Sequence, residues 1–283
     1  MQNDLVPFLK WAGGKRWISP LIKEFVPERV NRYIEPFLGS GATFFHLDTS
    51  KAILSDTNED LIDTYLAIQL DWTKVFKLLK EHHRNHSKTH YYAVRDQSPR
   101  GLFTKAARFI YLNRTCWNGL YRVNLQGKFN VPIGTKSHVI LNSDDFPSIA
   151  NKLFDAELRI SDFEEVIDES RKGDLVFADP PYTVKHNLNG FIKYNETLFS
   201  WDDQIRLSKA LGRAASRGAA VILTNADHRA IRDLYKAPFH TRRAIRHSII
   251  SANSKFRKPC SEIVITANLD GANRQLTSVR LRT

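Results

Sequence analysis

The sequence predicts an α/β fold, in which a parallel-type sheet with helices is interrupted once by an inserted, mostly helical segment. Short apolar runs rich in valine, isoleucine and phenylalanine alternate with helical patterns, as in βα units. A glycine turn joins the first of these runs to a helix. Residues 59–155 have a different sequence pattern, with longer helical segments and an aromatic, basic stretch. The alternation of strands and helices resumes at Ala156.

Seven short runs are predicted as strands. They cover residues 32–37, 51–55, 156–161, 174–178, 219–224, 242–248 and 262–267. The run 174–178 is continuously apolar after its first residue, which indicates a buried strand. It ends at Asp179, because the two prolines that follow have no N–H group to continue a ladder.

Helical patterns fill the intervals between the strands. One pattern ends at Phe25 and another begins at Thr43. Five more cover residues 61–70, 72–83, 106–113, 163–170 and 200–217. Ser200 is a suitable N-cap for the last helix and Gly218 a suitable stop.

The charge of the chain points to a polyanionic partner. Its 283 residues carry a formal net charge of +12, with a pI near 9.7. Nucleic acid is the first candidate for such a basic protein, and a solvated basic face is the alternative. The chain has no run of 18 apolar residues and no signal-peptide pattern, so we expect neither membrane insertion nor secretion.

Acidic residues follow three of the predicted strands. Asp56, Asp162 and Asp179 would lie at the carboxyl edge of the sheet, where α/β folds bind ligands. Gly39 and Gly41 form the turn that opens a nucleotide-binding unit, although the full dinucleotide fingerprint is absent. The structural alternatives are helix caps and a strand-ending turn.

Two further patterns concern metals and DNA. His82, His83, His86 and His90 lie close together, as in a metal site or in a solvated basic helix end; without an acid or thiol to complete a ligand set, we expect no metal. Residues 113–124 interleave arginine, asparagine and aromatic side chains around a glycine. This mixture suits DNA, because arginine bridges guanine, asparagine bridges adenine and rings wedge between bases.

Five segments together resemble the Dam-type, D12-family DNA adenine methyltransferases of the alpha arrangement. They are Phe8-Leu9-Lys10-Trp11-Ala12-Gly13-Gly14-Lys15, Glu35-Pro36-Phe37-Leu38-Gly39-Ser40-Gly41, Asn113-Arg114 with Asn118-Gly119, Phe129-Asn130-Val131-Pro132, and Asp179-Pro180-Pro181-Tyr182. The resemblance covers residues 8–268. It implies a Rossmann-like methyltransferase sheet (1–58 and 156–273), an inserted DNA target-recognition domain (59–155) and a basic tail (274–283).

The resemblance also implies a cofactor site and a catalytic site. The cofactor would be S-adenosylmethionine, released as S-adenosylhomocysteine, and no metal is involved. Its binding residues would be Trp11, Lys15, Phe37, Gly39, Gly41, Asp56, Asp162, Phe163 and Asp179. The catalytic residues would be Asp179, Pro180 and Tyr182.

For DNA binding, the resemblance implies contacts from the insertion and from the basic loop near the end of the chain. The residues are Arg114, Trp117, Asn118, Arg122, Asn130, Lys255, Arg257 and Lys258. Arg122 stands where the family has an arginine that reads guanine. Trp117 stands where close relatives commonly have a tyrosine that wedges into the duplex. The expected target is adenine in GATC, flipped out of the duplex and methylated by direct displacement.

Proteins with other functions would have a tetrapeptide similar to Asp179-Pro180-Pro181-Tyr182. An amino methyltransferase could act on cytosine or RNA, and a protein with this fold could bind DNA as an inactive regulator in a phage-defence or mobile element. The expected setting is the cytoplasm of a bacterium or of a phage host. There a monomer would act on double-stranded DNA, with a restriction enzyme or defence-system component as a candidate partner.

Overall fold

The computed structural model describes residues 5–11, 13–15, 17–49, 51–119, 121–124, 126–183, 199–246 and 260–269. Within these ranges the chain has a mixed α/β fold with a seven-stranded sheet. The strands are β1 (Tyr33–Glu35), β2 (Ala52–Asp56), β3 (Ala156–Ile160), β4 (Leu175–Ala178), β5 (Ala220–Ala226), β6 (His240–Arg246) and β7 (Cys260–Ala267). Their order is β3-β2-β1-β4-β5-β7-β6. The first five positions repeat the order of a doubly wound sheet.

The sheet is mostly parallel. β2 pairs with β3, β1 with β4 and β4 with β5 in parallel, while β7 runs antiparallel between β5 and β6. All four residues of β4 are buried, as its apolar run predicts. The seven predicted strands are confirmed, with ends that differ by at most two residues.

Nine α-helices lie in the described part of the chain, besides a 3-10 helix at Trp117–Gly119. They are α1 (Ser19–Phe25), α2 (Ala42–His46), α3 (Glu59–Asn85), α4 (Lys88–Asp96), α5 (Leu102–Thr115), α6 (Phe146–Leu153), α7 (Phe163–Asp168), α8 (Trp201–Ser216) and α9 (Arg229–Leu234). A non-helical backbone at Asp71 kinks α3 and explains why the sequence shows two separate helical patterns there. Ser200 caps α8 in a capping box with Asp203. The short helices α4, α6 and α9 are missing from the prediction.

The chain divides into two compact units. The first contains Met1–Pro20 and Leu38–Ser161, and the second contains Leu21–Phe37 and Asp162–Thr283. This division does not test the predicted boundaries at 58/59 and 155/156, so the inserted recognition domain stays a prediction. None of the helices in the described ranges has the length and apolar content needed to cross a bilayer.

Three of the four clustered histidines pack around Tyr111 in the first unit. The His82 ring stacks on Tyr111 with centroids 4.7 Å apart, and its Nδ1 lies 3.0 Å from Nε2 of His90. Nδ1 of His86 lies 2.9 Å from the Tyr111 hydroxyl. Burial, and after it the charge of His90, lower the pKa of His82 to about 4. The alternative of a solvated helix end is therefore wrong for His82.

His82 makes the stability of the fold depend on pH. Because its pKa in the folded protein lies below the reference value of 6.5, the unfolded chain gains a proton first as the pH falls. Stabilisation present above pH 6.5 is therefore lost as the pH falls towards 4. We expect His82→Phe to reduce the loss of unfolding free energy between pH 7 and pH 5 by about 1 kcal/mol, allowing for solvent screening and measured by urea denaturation.

The neighbouring His83 provides the control, because its side chain is exposed on the same helix. His83→Gln should leave the pH-dependent loss unchanged. Equal losses in the wild type and in His82→Phe would contradict this account.

Candidate active site

Asp179 follows β4 and lies beside Thr224 of β5. The parallel register pairs Ala178 with Leu223, so the next residues of the two strands are neighbours. The Thr224 hydroxyl, which is fully buried, donates to Asp179 Oδ1 over 2.7 Å. The carboxylate thus lies at the carboxyl edge of the sheet and is held there by a side chain of the adjacent strand.

The hydroxyl of Tyr182 is held in a similar way. It donates to Oε2 of Glu262 over 2.7 Å. Glu262 belongs to β7, where it pairs with Ala226 of β5, and is only 8% exposed. Burial, followed by the charges of Asp179 and Glu262, raises the pKa of Tyr182 well above its usual value. The hydroxyl therefore keeps its proton and remains a donor at neutral pH.

Buried amides hold the loop after β4 from helix α8. Nε2 of Gln204 donates to the Pro181 carbonyl over 3.4 Å, and Nδ2 of Asn225 donates to Oε1 of Gln204 over 3.1 Å. The Thr183 hydroxyl donates to the Phe199 carbonyl over 2.6 Å. These side chains supply donors in a segment where proline nitrogens supply none.

The sequence prediction omits four residues that hold this loop, three of them by direct contact and Asn225 through Gln204. They are Thr224, Asn225, Glu262 and Gln204. A signal for the first three was available, because they are polar residues at the ends of otherwise apolar predicted strands. In parallel neighbours such positions meet at one edge of the sheet.

Asp162 and Phe163 stand at the start of α7. Asp162 Oδ1 accepts from the backbone N–H two residues on and, over 2.8 Å, from Nη2 of Arg206. The Arg206 guanidinium also lies 4.8 Å from the Phe163 ring centroid. Phe163 stacks on Phe37 with centroids 5.4 Å apart, and Phe199 contacts both rings at 5.5 Å. Asp162 therefore caps a helix and anchors an arginine beside an aromatic cluster.

Gly39 and Gly41 shape the turn before α2, in the first unit. Both have positive φ, 48° and 64°. A Cβ atom on Gly39 would lie 2.7 Å from Cδ1 of Trp11, so only glycine fits. The turn is fixed on two sides, because the Tyr65 hydroxyl donates to the Gly39 carbonyl over 3.0 Å and Gly39 N–H donates to Asp56 Oδ2 over 3.1 Å.

Asp56 ends β2 with both carboxylate oxygens in contact with backbone amides. Its Oδ1 accepts from the Asn58 amide over 3.0 Å. Burial raises the pKa of Asp56, while the amides of Asn58, Gly39 and Thr57 oppose that shift. Lys15, another predicted cofactor-binding residue of the first unit, is also buried.

A two-stranded loop, residues 115–134, follows α5 in the first unit. Antiparallel bridges pair Cys116 with Ile133 and Val123 with Phe129. Four of the predicted DNA-binding residues are exposed on this loop: Trp117, Asn118, Arg122 and Asn130. Arg122 Nε donates to Asn130 Oδ1 over 3.1 Å, so the two side chains are neighbours.

Arg114 is buried, in contrast to its neighbours along the chain. It is 2% exposed and pairs with Asp144 through two contacts of 2.6 and 2.7 Å. It also donates to the carbonyls of Phe8 and Val139. The structure therefore contradicts the predicted DNA contact, because reaching DNA would leave the Asp144 carboxylate buried and unpaired.

The remaining predicted DNA-binding residues lie outside the described ranges. They are Lys255, Arg257 and Lys258, and the predicted basic tail 274–283 lies outside them as well.

A doubly wound sheet with a glycine turn after its first strand is typical of α/β proteins that bind nucleotide-like ligands.

The family model of the D12 class N6 adenine-specific DNA methyltransferases matches residues 11–250. The type II methyltransferase M1.LlaDCHI of Lactococcus lactis subsp. cremoris is 36% identical over 272 residues, covering 93% of this chain and 95% of that protein. The type II methyltransferase M.MjaIII of Methanocaldococcus jannaschii is 36% identical over 247 residues, with coverage of 78% and 84%. The DNA adenine methylase of Salmonella typhi is 32% identical over 263 residues, with coverage of 91% and 93%.

The chain belongs to the D12 class of N6 adenine-specific DNA methyltransferases. It is therefore an adenine-specific DNA methyltransferase, as the sequence motifs predict. Membership implies S-adenosylmethionine as the methyl donor and DNA as the substrate.

Proposed function

We propose that the protein methylates N6 of adenine in the duplex sequence GATC, after flipping the target base out of the helix. The observation that carries this proposal is the Asp179 carboxylate, which Thr224 holds at the carboxyl edge of the sheet in the same loop as Tyr182. A base inside a duplex cannot present its amine to such an edge, and flipping costs a few kcal/mol.

In this proposal the loop after β4 performs the chemistry on the base. The ring of Tyr182 stacks on the flipped adenine and offsets part of the flipping cost. The Asp179 carboxylate and the Pro180 carbonyl accept the two amine hydrogens. The nitrogen is thereby drawn towards tetrahedral geometry, and its lone pair becomes available for direct displacement. As the bond to the methyl group forms, one amine proton passes to the Asp179 carboxylate and from there to solvent. Alignment and fixed acceptors supply much of the rate.

The residues of the first unit fit S-adenosylmethionine. Asp56 would accept from the ribose hydroxyls, since each carboxylate oxygen can accept more than one hydrogen bond. Trp11 and Lys15 would contact the methionine part, and Gly39 and Gly41 would line the turn. When bound, the cofactor supplies an electrophilic sulfonium methyl group and leaves as S-adenosylhomocysteine.

In the second unit, we propose that Asp162 accepts from the adenine amine of the cofactor. Phe163 would lie beside the adenine ring, and Phe37, which stacks on Phe163, would line the turn beneath the cofactor with Gly39 and Gly41. Arg206 already orients the Asp162 carboxylate and lies over the Phe163 ring, so both groups are fixed before the cofactor binds.

The two-stranded loop 115–134 is the proposed DNA-reading surface. Arg122 would bridge a guanine of GATC, and Trp117, which is 53% exposed, would wedge into the duplex. Asn118 and Asn130 would contact bases or backbone nearby, and Lys255, Arg257 and Lys258 would contact phosphates.

The protein would act as a monomer in the cytoplasm of a bacterium or phage host, with a restriction enzyme or defence-system component as its candidate partner.

Asp179 provides the direct test of the proposed chemistry. Asp179→Ala removes the amine acceptor, so methyl transfer from labelled S-adenosylmethionine to plasmid DNA should be abolished. DNA affinity, measured by fluorescence anisotropy, should stay within about tenfold, because the loop 115–134 is unchanged. Asp155→Ala, at an exposed position after α6, should leave methylation unchanged. Full methylation by Asp179→Ala would refute the mechanism.

Arg122 provides the test of target recognition. Sequencing that reports modified adenines and their flanking bases should find GATC in plasmid DNA treated with the wild type. Arg122→Ala should relax the preference for one guanine by about 1 to 3 kcal/mol, seen as methylation of sites that lack it. Arg171→Ala, at another exposed arginine, is the control and should preserve the target sequence. An unchanged preference in Arg122→Ala would exclude this residue as the guanine reader.

A further inference from the structure

Two hydroxyls and two carboxylates of the second unit form two hydrogen-bonded pairs. Thr224 donates to Asp179, and Tyr182 donates to Glu262, each over 2.7 Å. Thr224 and Ala226, the strand partner of Glu262, both belong to the carboxyl end of β5. The two hydrogen-bonded pairs therefore lie at one edge of the sheet and include both side chains assigned to the target base.

The pairing of the strands positions both hydrogen-bonded pairs. Asp179 is beside Thr224 because the parallel β4 and β5 pairs continue by one residue, and Glu262 is fixed by its antiparallel pairing with Ala226. Successive residues of a strand point to opposite faces of the sheet. Thr224 accordingly contacts Asp179, whereas Asn225 points the other way and contacts Gln204.

Burial limits the access of water to these two hydrogen bonds. Thr224 is fully buried and Glu262 is 8% exposed, so water is a poor substitute for either partner. A hydroxyl has a single proton, and Thr224 gives it to Asp179 Oδ1. That bond fixes the rotation of the carboxylate about its Cβ–Cγ bond, and with it the direction in which the acceptor faces a base.

We propose that Thr224 and Glu262 are positioning residues for methyl transfer. Thr224 sets the orientation of the Asp179 carboxylate, and Glu262 sets the orientation of the Tyr182 ring through its hydroxyl. The proposal rests on the proposed function, in which Asp179 accepts from the target amine. Neither positioning residue touches the base, so each affects the rate of the bound complex and not its formation.

The first experiment compares Thr224→Val, which replaces the hydroxyl by a methyl group of similar size, with Thr224→Ser, which keeps it. Single-turnover methylation of plasmid DNA is measured at saturating S-adenosylmethionine. Thr224→Val should be slower by about ten- to a hundredfold, with the dissociation constants for cofactor and DNA within about threefold of the wild type. Thr224→Ser should recover most of the rate.

Thr266→Val, at a buried threonine of β7, controls for the loss of a hydroxyl from the sheet, and its rate should be unchanged. A wild-type rate in Thr224→Val would overturn the role of Thr224. So would an equal loss in Thr224→Val and Thr224→Ser, since that result would assign the effect to packing.

The second experiment tests whether Glu262 acts through Tyr182. Glu262→Leu and Tyr182→Phe should each slow methyl transfer, and the double variant should be no slower than the slower single variant, because both changes remove the same contact. Glu262→Gln keeps an acceptor oxygen and should be faster than Glu262→Leu. Fully additive losses would overturn the role of Glu262.

The Asp179→Ala variant separates this proposal from the proposed function. If Asp179→Ala still methylates DNA, the proposed chemistry fails. If Asp179→Ala is inactive while Thr224→Val and Glu262→Leu have the wild-type rate, the positioning roles alone fail.

Discussion

The hydrogen bond from Thr224 to Asp179 is the contact on which the proposed chemistry depends. It joins the ends of two adjacent parallel strands, so its geometry is set by the register of the sheet and not by a flexible loop. The two prolines after Asp179 stiffen the segment, and Gln204 supplies a donor to its carbonyl. A weakly nucleophilic amine needs acceptors that are fixed before it arrives, because reorganisation during the reaction would add to the barrier.

A second stabilising contact, in the first unit, is the buried ion pair of Arg114 and Asp144. The Arg114 guanidinium also binds the Phe8 carbonyl, while Asn113 exchanges two hydrogen bonds with the backbone of Lys10. Residues 8–10 are therefore bound to the end of α5, directly before the loop that carries the exposed Trp117 and Arg122. Breaking a buried ion pair of this kind typically costs about 3 to 5 kcal/mol, so these residues stabilise the base of the proposed DNA-reading surface.

Much of the fold follows from local patterns in the sequence. The apolar run before Asp179 is a strand because consecutive Val and Phe suit a buried sheet, and Ser200 starts a helix because its side chain caps an exposed N–H. The burial of Arg114 could not be predicted, since arginine beside asparagine and aromatic residues is also the pattern of a DNA contact. Its partner Asp144 lies 30 residues away in sequence. The polar positions of Thr224 and Glu262 at strand ends could be recognised in the sequence, but the partners that they bind depend on strand register and could not be predicted.

The proposed function requires the edge of the sheet to receive a flipped adenine, and 2-aminopurine fluorescence tests that requirement most directly. The probe replaces the target adenine in a GATC duplex, where stacking quenches it. Fluorescence is expected to rise on binding to the wild type and to Asp179→Ala, and to rise further with Tyr182→Ala, because the ring that stacks on the flipped base also quenches part of its emission. Methylation of the matched adenine duplex by the wild type, with no rise in fluorescence for any of the three proteins, would contradict base flipping, because the base would then react without leaving the stack.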